Sequence, residues 1–206
     1  MTRVKICGVR RVEDALLAAE LGAYAVGFVF WPSSPRFVDP EDAQPIAAAL
    51  PPFVTTVGVF VDQPEDYVAK IARRLNLGAI QLHGQESARE YANGSVRVIK
   101  SVAVHDGEDC LPAVRAVPAS ATVLLDAHDP IRRGGTGRTI DWNQAAASAR
   151  LRPIILSGGL NAENARDAVE AVRPYAIDVS SGVESTPGVK DPGMLRALFA
   201  ALNCSS

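Results

Sequence analysis

Two side chains capable of proton chemistry stand where short apolar runs end. Cys7 closes Arg3-Val4-Lys5-Ile6 just before Gly8, and Asp126 closes Val123-Leu124-Leu125. A thiol is an acid–base group and a nucleophile in one, but only as thiolate, and a free thiol titrates near ~8.5. Lys5, two residues before Cys7, points to the same side of an extended chain, where its charge favours that thiolate. The plain alternative is an inert core thiol, since cysteine is among the residue types most often buried. A carboxylate directly after an apolar run needs partners or a function.

The elements that position these groups follow from hydrophobic periodicity. Eight β-rich apolar runs recur: residues 3–8, 24–30, 55–61, 79–82, 96–102, 122–125, 153–156 and 176–179. Between them lie stretches of helical period, such as Val12, Ala15, Leu16 and Ala19, or Val68, Ile71, Ala72 and Leu75. Residues 41–50, 108–117 and 142–150 are less regular helices, and 86–92 is a short one. Near-continuous apolar strands alternating with amphipathic helices give a parallel sheet covered on its outside. Eight such units predict a single-domain (β/α)8 TIM barrel over residues 1–206. The rival, an open doubly wound sheet, lacks its G-x-G-x-x-G after the first strand.

In such a barrel the carboxyl ends of the strands share one mouth. Cys7, Arg36, Asp62, His83, Asp126, Ser157-Gly158-Gly159 and Ser180-Ser181-Gly182 all follow strands, and Lys100 lies inside one. Asp62, before Gln63-Pro64, reads as the N-cap of the third helix. His83 can hold a loop carbonyl or a ligand, and Lys100 can pair with a carboxylate. The glycines after strands seven and eight let backbone N–H groups turn toward an anion, with Ser180 and Ser181 adding hydroxyls. A phosphorylated small molecule is the expected ligand; capping by Asn161 and tight turning are the plainer account. Residues 132–138, Arg-Arg-Gly-Gly-Thr-Gly-Arg, read as a loop near Asp126, either a lid or a surface loop.

Composition sets the outer limits. The 206 residues are 48% hydrophobic and 21% charged, with 21 basic and 23 acidic residues and a net charge of −2. Neither nucleic acid nor a membrane surface is an expected partner at that balance. Cys7, Cys110 and Cys204 have neither zinc-site spacing nor the density of a disulfide scaffold, so no metal is expected and a reducing, cytoplasmic setting is. No leader or membrane span is read in the chain.

Taken in order, the motifs VKICG at 4–8, AVGFVF at 25–30, SPRF at 34–37, VGVFV at 57–61, QLHG at 81–84, LLDA at 124–127, GGTG with DW at 134–142, LSGGL at 156–160 and DVSSGVE at 178–184 ahead of PGVKD resemble the phosphoribosylanthranilate isomerase family of tryptophan biosynthesis. The resemblance implies Cys7 as general base, Asp126 as general acid, Arg36 holding the anthranilate carboxylate and Asp178 as a positioning residue; His83, from its place at a strand end, is read as a further substrate contact. It also implies a phosphate site at Gly158, Gly159, Ser180, Ser181 and Gly182. Arg10 departs from the family, which often has a helix-capping threonine there.

The implied reaction is an Amadori rearrangement without cofactor, by a monomer or homodimer. A thiolate base and a protonated carboxyl acid require Cys7 to be pushed down and Asp126 up. Two alternatives stand beside it. A histidine-pathway barrel isomerase would carry aspartate in place of Cys7. A flavoprotein would seat its cofactor phosphate in the same loops.

Overall fold

The computed structural model describes residues 2–91, 94, 96–105, 107–127 and 140–203. Eight strands run parallel: β1 Arg3–Cys7, β2 Ala25–Val29, β3 Thr55–Phe60, β4 Ala79–Leu82, β5 Arg97–Val104, β6 Ala121–Ala127, β7 Ile154–Leu156 and β8 Ala176–Val179. They close on themselves because β1 pairs with both β2 and β8. Every strand expected from the sequence is present. Their near-continuous apolar character reflects burial on both faces, as a closed parallel sheet under helices requires.

The outward faces carry Ile6, Phe28, Phe30, Phe60, Leu82, Leu125, Leu156 and Ile177, packed beneath the helices. Inward, Ala25, Val57, Ala79, Ile99, Leu124, Ile155 and Ala176 form an apolar layer. Polar side chains begin above that layer. The register sets Lys5 opposite Asp178 and Ile6 opposite Val179, so one ion pair lies a step below the mouth.

Among the described residues seven helices form: α1 Val12–Glu20, α2 Pro40–Ala49, α3 Glu65–Arg74, α4 Leu111–Ala116, α5 Trp142–Leu151, α6 Ala165–Val172 and α7 Pro192–Asn203. The short helix expected at 86–92 does not appear among the described residues there, which make turns held by Glu90 N–H to Ser87 C=O at 3.2 Å. Length alone does not decide this, since α4 has only six residues; Glu86 is committed elsewhere, to the backbone N–H groups of Asp62 (2.5 Å) and Gly84 (2.8 Å).

Two capping expectations also change. Asp62 is not the N-cap of α3, a place held by Pro64. Asp62 has φ 53° and accepts from the Gln85 N–H at 2.5 Å, tying the third loop to the fourth. The N-cap of α1 is Arg11, without a side-chain cap. Its guanidinium reaches Asp14 instead, at 2.6 and 2.9 Å. An antiparallel hairpin, β9 Glu184–Thr186 with β10 Val189–Lys190, follows β8 and a short 3₁₀ turn at Ser181–Val183. The Asp14 carboxylate accepts from the Lys190 backbone N–H at 3.2 Å, which fastens this hairpin to α1.

Candidate active site

Cys7 ends β1, buried at the carboxyl end of the barrel beside Val29, Val59 and Trp31. Gly27 on the neighbouring strand makes the room: a methyl group there would stand 3.0 Å from Cys7 Sγ and 3.2 Å from Lys5 Nζ. Lys5 does share the side of Cys7, as alternation requires, but its ammonium is bonded to Asp178 Oδ1 at 2.8 Å, with both side chains almost wholly buried. Burial pulls Lys5 down, yet Asp178 and Cys7 outweigh it and leave the ammonium above its ordinary value.

The expected lowering of Cys7 is overturned. Burial pushes the thiol up, the Lys5 charge opposes this, and Asp178 adds to the rise. The Lys5 charge, already facing the Asp178 carboxylate, does not outweigh the burial. The resting side chain is therefore a thiol.

Asp126 stands on β6, across the mouth from β1 in the strand order. It is 6% exposed, and its Oδ1 accepts from the Ala127 N–H at 3.0 Å. His83, just past β4, brings Nε2 to 3.4 Å from Asp126 Oδ2. Its other ring nitrogen meets Gln81 Nε2 at 3.2 Å. With the amide donating to Nδ1, a neutral ring carries its proton on Nε2, the nitrogen nearer Asp126. A cavity of about 630 Å³ opens beside these two and continues over Ser101 and Ala103. Lys100 does pair with a carboxylate, Glu86 at 3.6 Å, and donates to Gly84 C=O at 2.6 Å.

Arg36 lies at the mouth beyond β2 but is 8% exposed. Its Nε and Nη2 grip Glu184, with Nη2 at 2.7 Å from Oε2 and Nε at 3.0 Å from Oε1. Lys190 Nζ reaches the same carboxylate at 2.7 Å and the carbonyls of Cys7 (2.5 Å) and Ser180 (3.1 Å). Burial pulls this lysine below its ordinary value, while Glu184 holds it up in part.

The loops after β7 and β8 meet. Gly158 and Gly159 have φ 92° and 61°, conformations that suit glycine. Gly182 has no room for a side chain, because a methyl group there would collide with the Leu160 carbonyl. Asn164 Nδ2 secures Gly159 C=O at 3.0 Å, and Asn161 Oδ1 accepts from Glu163 and Asn164 in the turn before α6. Gly159, Ser181 and Gly182 bring their backbone N–H groups into these two loops, the kind of group an anion cradle uses. The Ser180 hydroxyl is spent on Cys7 C=O at 3.1 Å, so only its backbone is available there.

The structure thus gathers Cys7, Arg36, His83, Asp126 and the two glycine loops at one end of the barrel, with Asp178 a layer below, bonded to Lys5. Residues 132–138 lie outside the described residues, as does Cys204. Cys110, the N-cap of α4, is buried with its sulfur 3.5 Å from Ser148 Oγ on α5. No cluster of metal-binding side chains occurs among the described residues, and no helix among them is long and apolar enough to cross a membrane. Glu184, Lys190 and Gln81 were not singled out by sequence reasoning. The available signal was a Glu and a Lys flanking Thr186-Pro187-Gly188, and a Gln two residues before His83 on an inward face.

A closed (β/α)8 barrel with its polar groups collected at the carboxyl ends of the strands defines the class: a barrel enzyme. The family model described as N-(5'phosphoribosyl)anthranilate (PRA) isomerase matches residues 4–201. The chain belongs to this family. It is 51% identical over 196 residues to the N-(5'-phosphoribosyl)anthranilate isomerase of Geobacter metallireducens, covering 95% of this chain and 96% of that one. It is also similar to the solved phosphoribosyl anthranilate isomerase of Thermotoga maritima, with TM-score 0.90, 43% identity and 98% of each chain covered. A further solved phosphoribosyl anthranilate isomerase, in complex with reduced 1-(o-carboxyphenylamino)-1-deoxyribulose 5-phosphate, matches with TM-score 0.86, 42% identity and 98% coverage of each chain.

Proposed function

We propose that this enzyme converts N-(5-phosphoribosyl)anthranilate to 1-(2-carboxyphenylamino)-1-deoxyribulose 5-phosphate in tryptophan biosynthesis, with Asp126 as general acid and Cys7 as general base. What carries the reading is the placement of one thiol and one carboxyl on opposite walls of the same mouth, beside an anion cradle. Asp126 gives a proton to the furanose oxygen as the C1–O bond breaks, leaving an open-chain iminium. The iminium acidifies the C2 hydrogen, which Cys7 removes as thiolate. The resulting enolamine tautomerises to the ketone. One proton leaves Asp126 and one arrives at Cys7; before the next turnover Asp126 regains a proton from solvent and Cys7 gives one up to it. Loss of phosphoribosylanthranilate fluorescence on adding the pure protein tests the reaction, and its persistence overturns it.

The phosphate is held by the backbone N–H groups of Gly159, Ser181 and Gly182, supported by the collision that any side chain at Gly182 would cause. Inorganic phosphate competes with substrate, and Gly182→Ala raises KM more than it lowers kcat. An unchanged KM removes these loops from phosphate binding.

Arg36 takes the anthranilate carboxylate on its Nη1 and Nη2 end, because Nε and one side of Nη2 already hold Glu184. Arg36→Lys keeps one charge but loses the fork. A hydrogen bond between charged groups contributes about 1.5–3 kcal/mol, so KM rises roughly tenfold to a hundredfold. Unaltered substrate affinity would assign Arg36 to structure alone.

A further inference from the structure

The hairpin after β8 carries two charged side chains into the protein. Glu184 and Lys190 expose 4% and 0% of their side chains, and the Arg36 they hold exposes 10%. Three buried charges form one connected unit. Glu184 accepts the Nε and Nη2 of Arg36 on one side and the Lys190 ammonium on the other. Lys190 spends its two remaining donors on the carbonyls of Cys7 and Ser180. The Lys190 backbone is in turn pinned by Asp14 and Arg11, its N–H donating to Asp14 Oδ2 at 3.2 Å and its C=O accepting from Arg11 Nη2 at 3.3 Å. The ammonium therefore has no freedom to wander.

Stability does not account for such a unit, since buried ion pairs commonly contribute no more than apolar groups of the same volume. Geometry does. One carboxylate fixes the plane of the guanidinium, and one ammonium joins that carboxylate to the backbone of the residue on β1 and to the start of the loop after β8. Two cations against one anion leave a single positive charge, directed at the mouth. Lys5 with Asp178 and Arg11 with Asp14 are already neutral as pairs.

We propose that Glu184 and Lys190 are positioning residues. Glu184 turns Arg36 so that only its Nη1 and Nη2 end meets a substrate carboxylate, and Lys190 locks that arrangement to the Cys7 backbone and the phosphate loop. The proposal rests on the isomerase reading for its kinetic consequences, and on hydrogen bonding alone for its spectroscopic one.

Three variants and one resonance test it. In Glu184→Ala, KM for phosphoribosylanthranilate rises about tenfold or more, the expected loss of a charged hydrogen bond. Its kcat changes by less than about threefold, and inhibition by inorganic phosphate stays as in the wild type. Glu184→Gln, which keeps an acceptor and the shape, falls between. Lys190→Met instead lowers kcat and weakens phosphate inhibition, because the ties to Cys7 and Ser180 go together. The Arg36 Nε–H resonance in a ¹⁵N spectrum of the unliganded protein is protected from exchange in the wild type and in Glu184→Gln, and lost in Glu184→Ala.

An unchanged KM in Glu184→Ala overturns the proposal. So does a parallel rise of KM and of the phosphate inhibition constant in that variant, the mark of general loosening. If the wild type fails to turn over, the isomerase reading falls, and the Arg36 resonance still decides the bracket: protection lost with Glu184 upholds it, and identical exchange in all variants overturns it.

Discussion

Replacing Cys7 by serine lowers kcat by about 10²–10⁴-fold or more, and Asp126→Asn does the same, the usual worth of a general base or acid. Serine keeps the shape of Cys7 but loses the proton at far higher pH. Asparagine keeps an oxygen for the Ala127 N–H but has no proton to give to a ring oxygen. Neither change disturbs the packing that holds the barrel, so circular dichroism and melting stay near wild type. The pH profile carries the more specific consequence. Burial holds the Cys7 thiol above its ordinary value despite Lys5, so at neutral pH only a minority of molecules carry the thiolate. Asp126 must hold its proton in those same molecules, so the wild-type kcat/KM is a bell; in Asp126→Asn, where the thiolate alone sets it, the residual kcat/KM climbs with pH through neutrality and into the alkaline range. A residual kcat/KM of Asp126→Asn that levels off already below pH 7 shows a thiolate at rest and contradicts the burial argument. Near-full kcat in Cys7→Ser returns Cys7 to the role of a buried core thiol.

The barrel was legible because its strands are buried on both faces. A run such as Val123-Leu124-Leu125 has no alternation to confuse, and the amphipathic stretches between runs leave a parallel sheet as the one arrangement that covers them all. What was not legible is the segment after β4. Its composition permits a helix, but Glu86 is drawn off to the Asp62 and Gly84 amides and to Lys100. Such competition appears only once the third and fourth loops lie side by side. The same meeting of loops took Asp62 away from the N-cap of α3.

At the site, the chain positions of Cys7, Arg36, His83, Asp126 and the glycine loops were readable, because strand ends converge in any barrel. Their charge partners were not. Lys5 and Asp178 are 173 residues apart, and Arg36 and Glu184 are 148 apart. Only the closure of β1 onto β8 and the fold-back of the β9–β10 hairpin bring them together. The error on Cys7 has this origin. The sequence displays the cation two residues away, and conceals both the burial that opposes it and the carboxylate that already claims it.

Lys5→Met tests that balance and should have the largest effect on stability. The ammonium and the Asp178 carboxylate lie within 2.8 Å of each other, buried beneath the mouth. Removing one member of a buried pair costs about 3–5 kcal/mol, because the other is left uncompensated. A folded domain has only about 5–15 kcal/mol in total. For a chain of this size the loss lowers Tm by roughly 6–20 °C. The folded Lys5 titrates above its unfolded value. The pair's contribution is therefore fully present below the ordinary lysine range and is lost as pH rises through the higher folded value. Across neutral pH the deficit of Lys5→Met is accordingly constant. The double variant Lys5→Met with Asp178→Leu removes both charges and regains most of the melting temperature. Its activity does not return in step. Lys5 is the strongest influence holding the Cys7 thiol down against burial, so without it fewer molecules carry the thiolate and the neutral kcat/KM falls. A double variant as unstable as Lys5→Met shows that the pair is not the stabilising unit. One that recovers stability and keeps the wild-type kcat/KM at neutral pH shows that Lys5 has no hold on the Cys7 thiol.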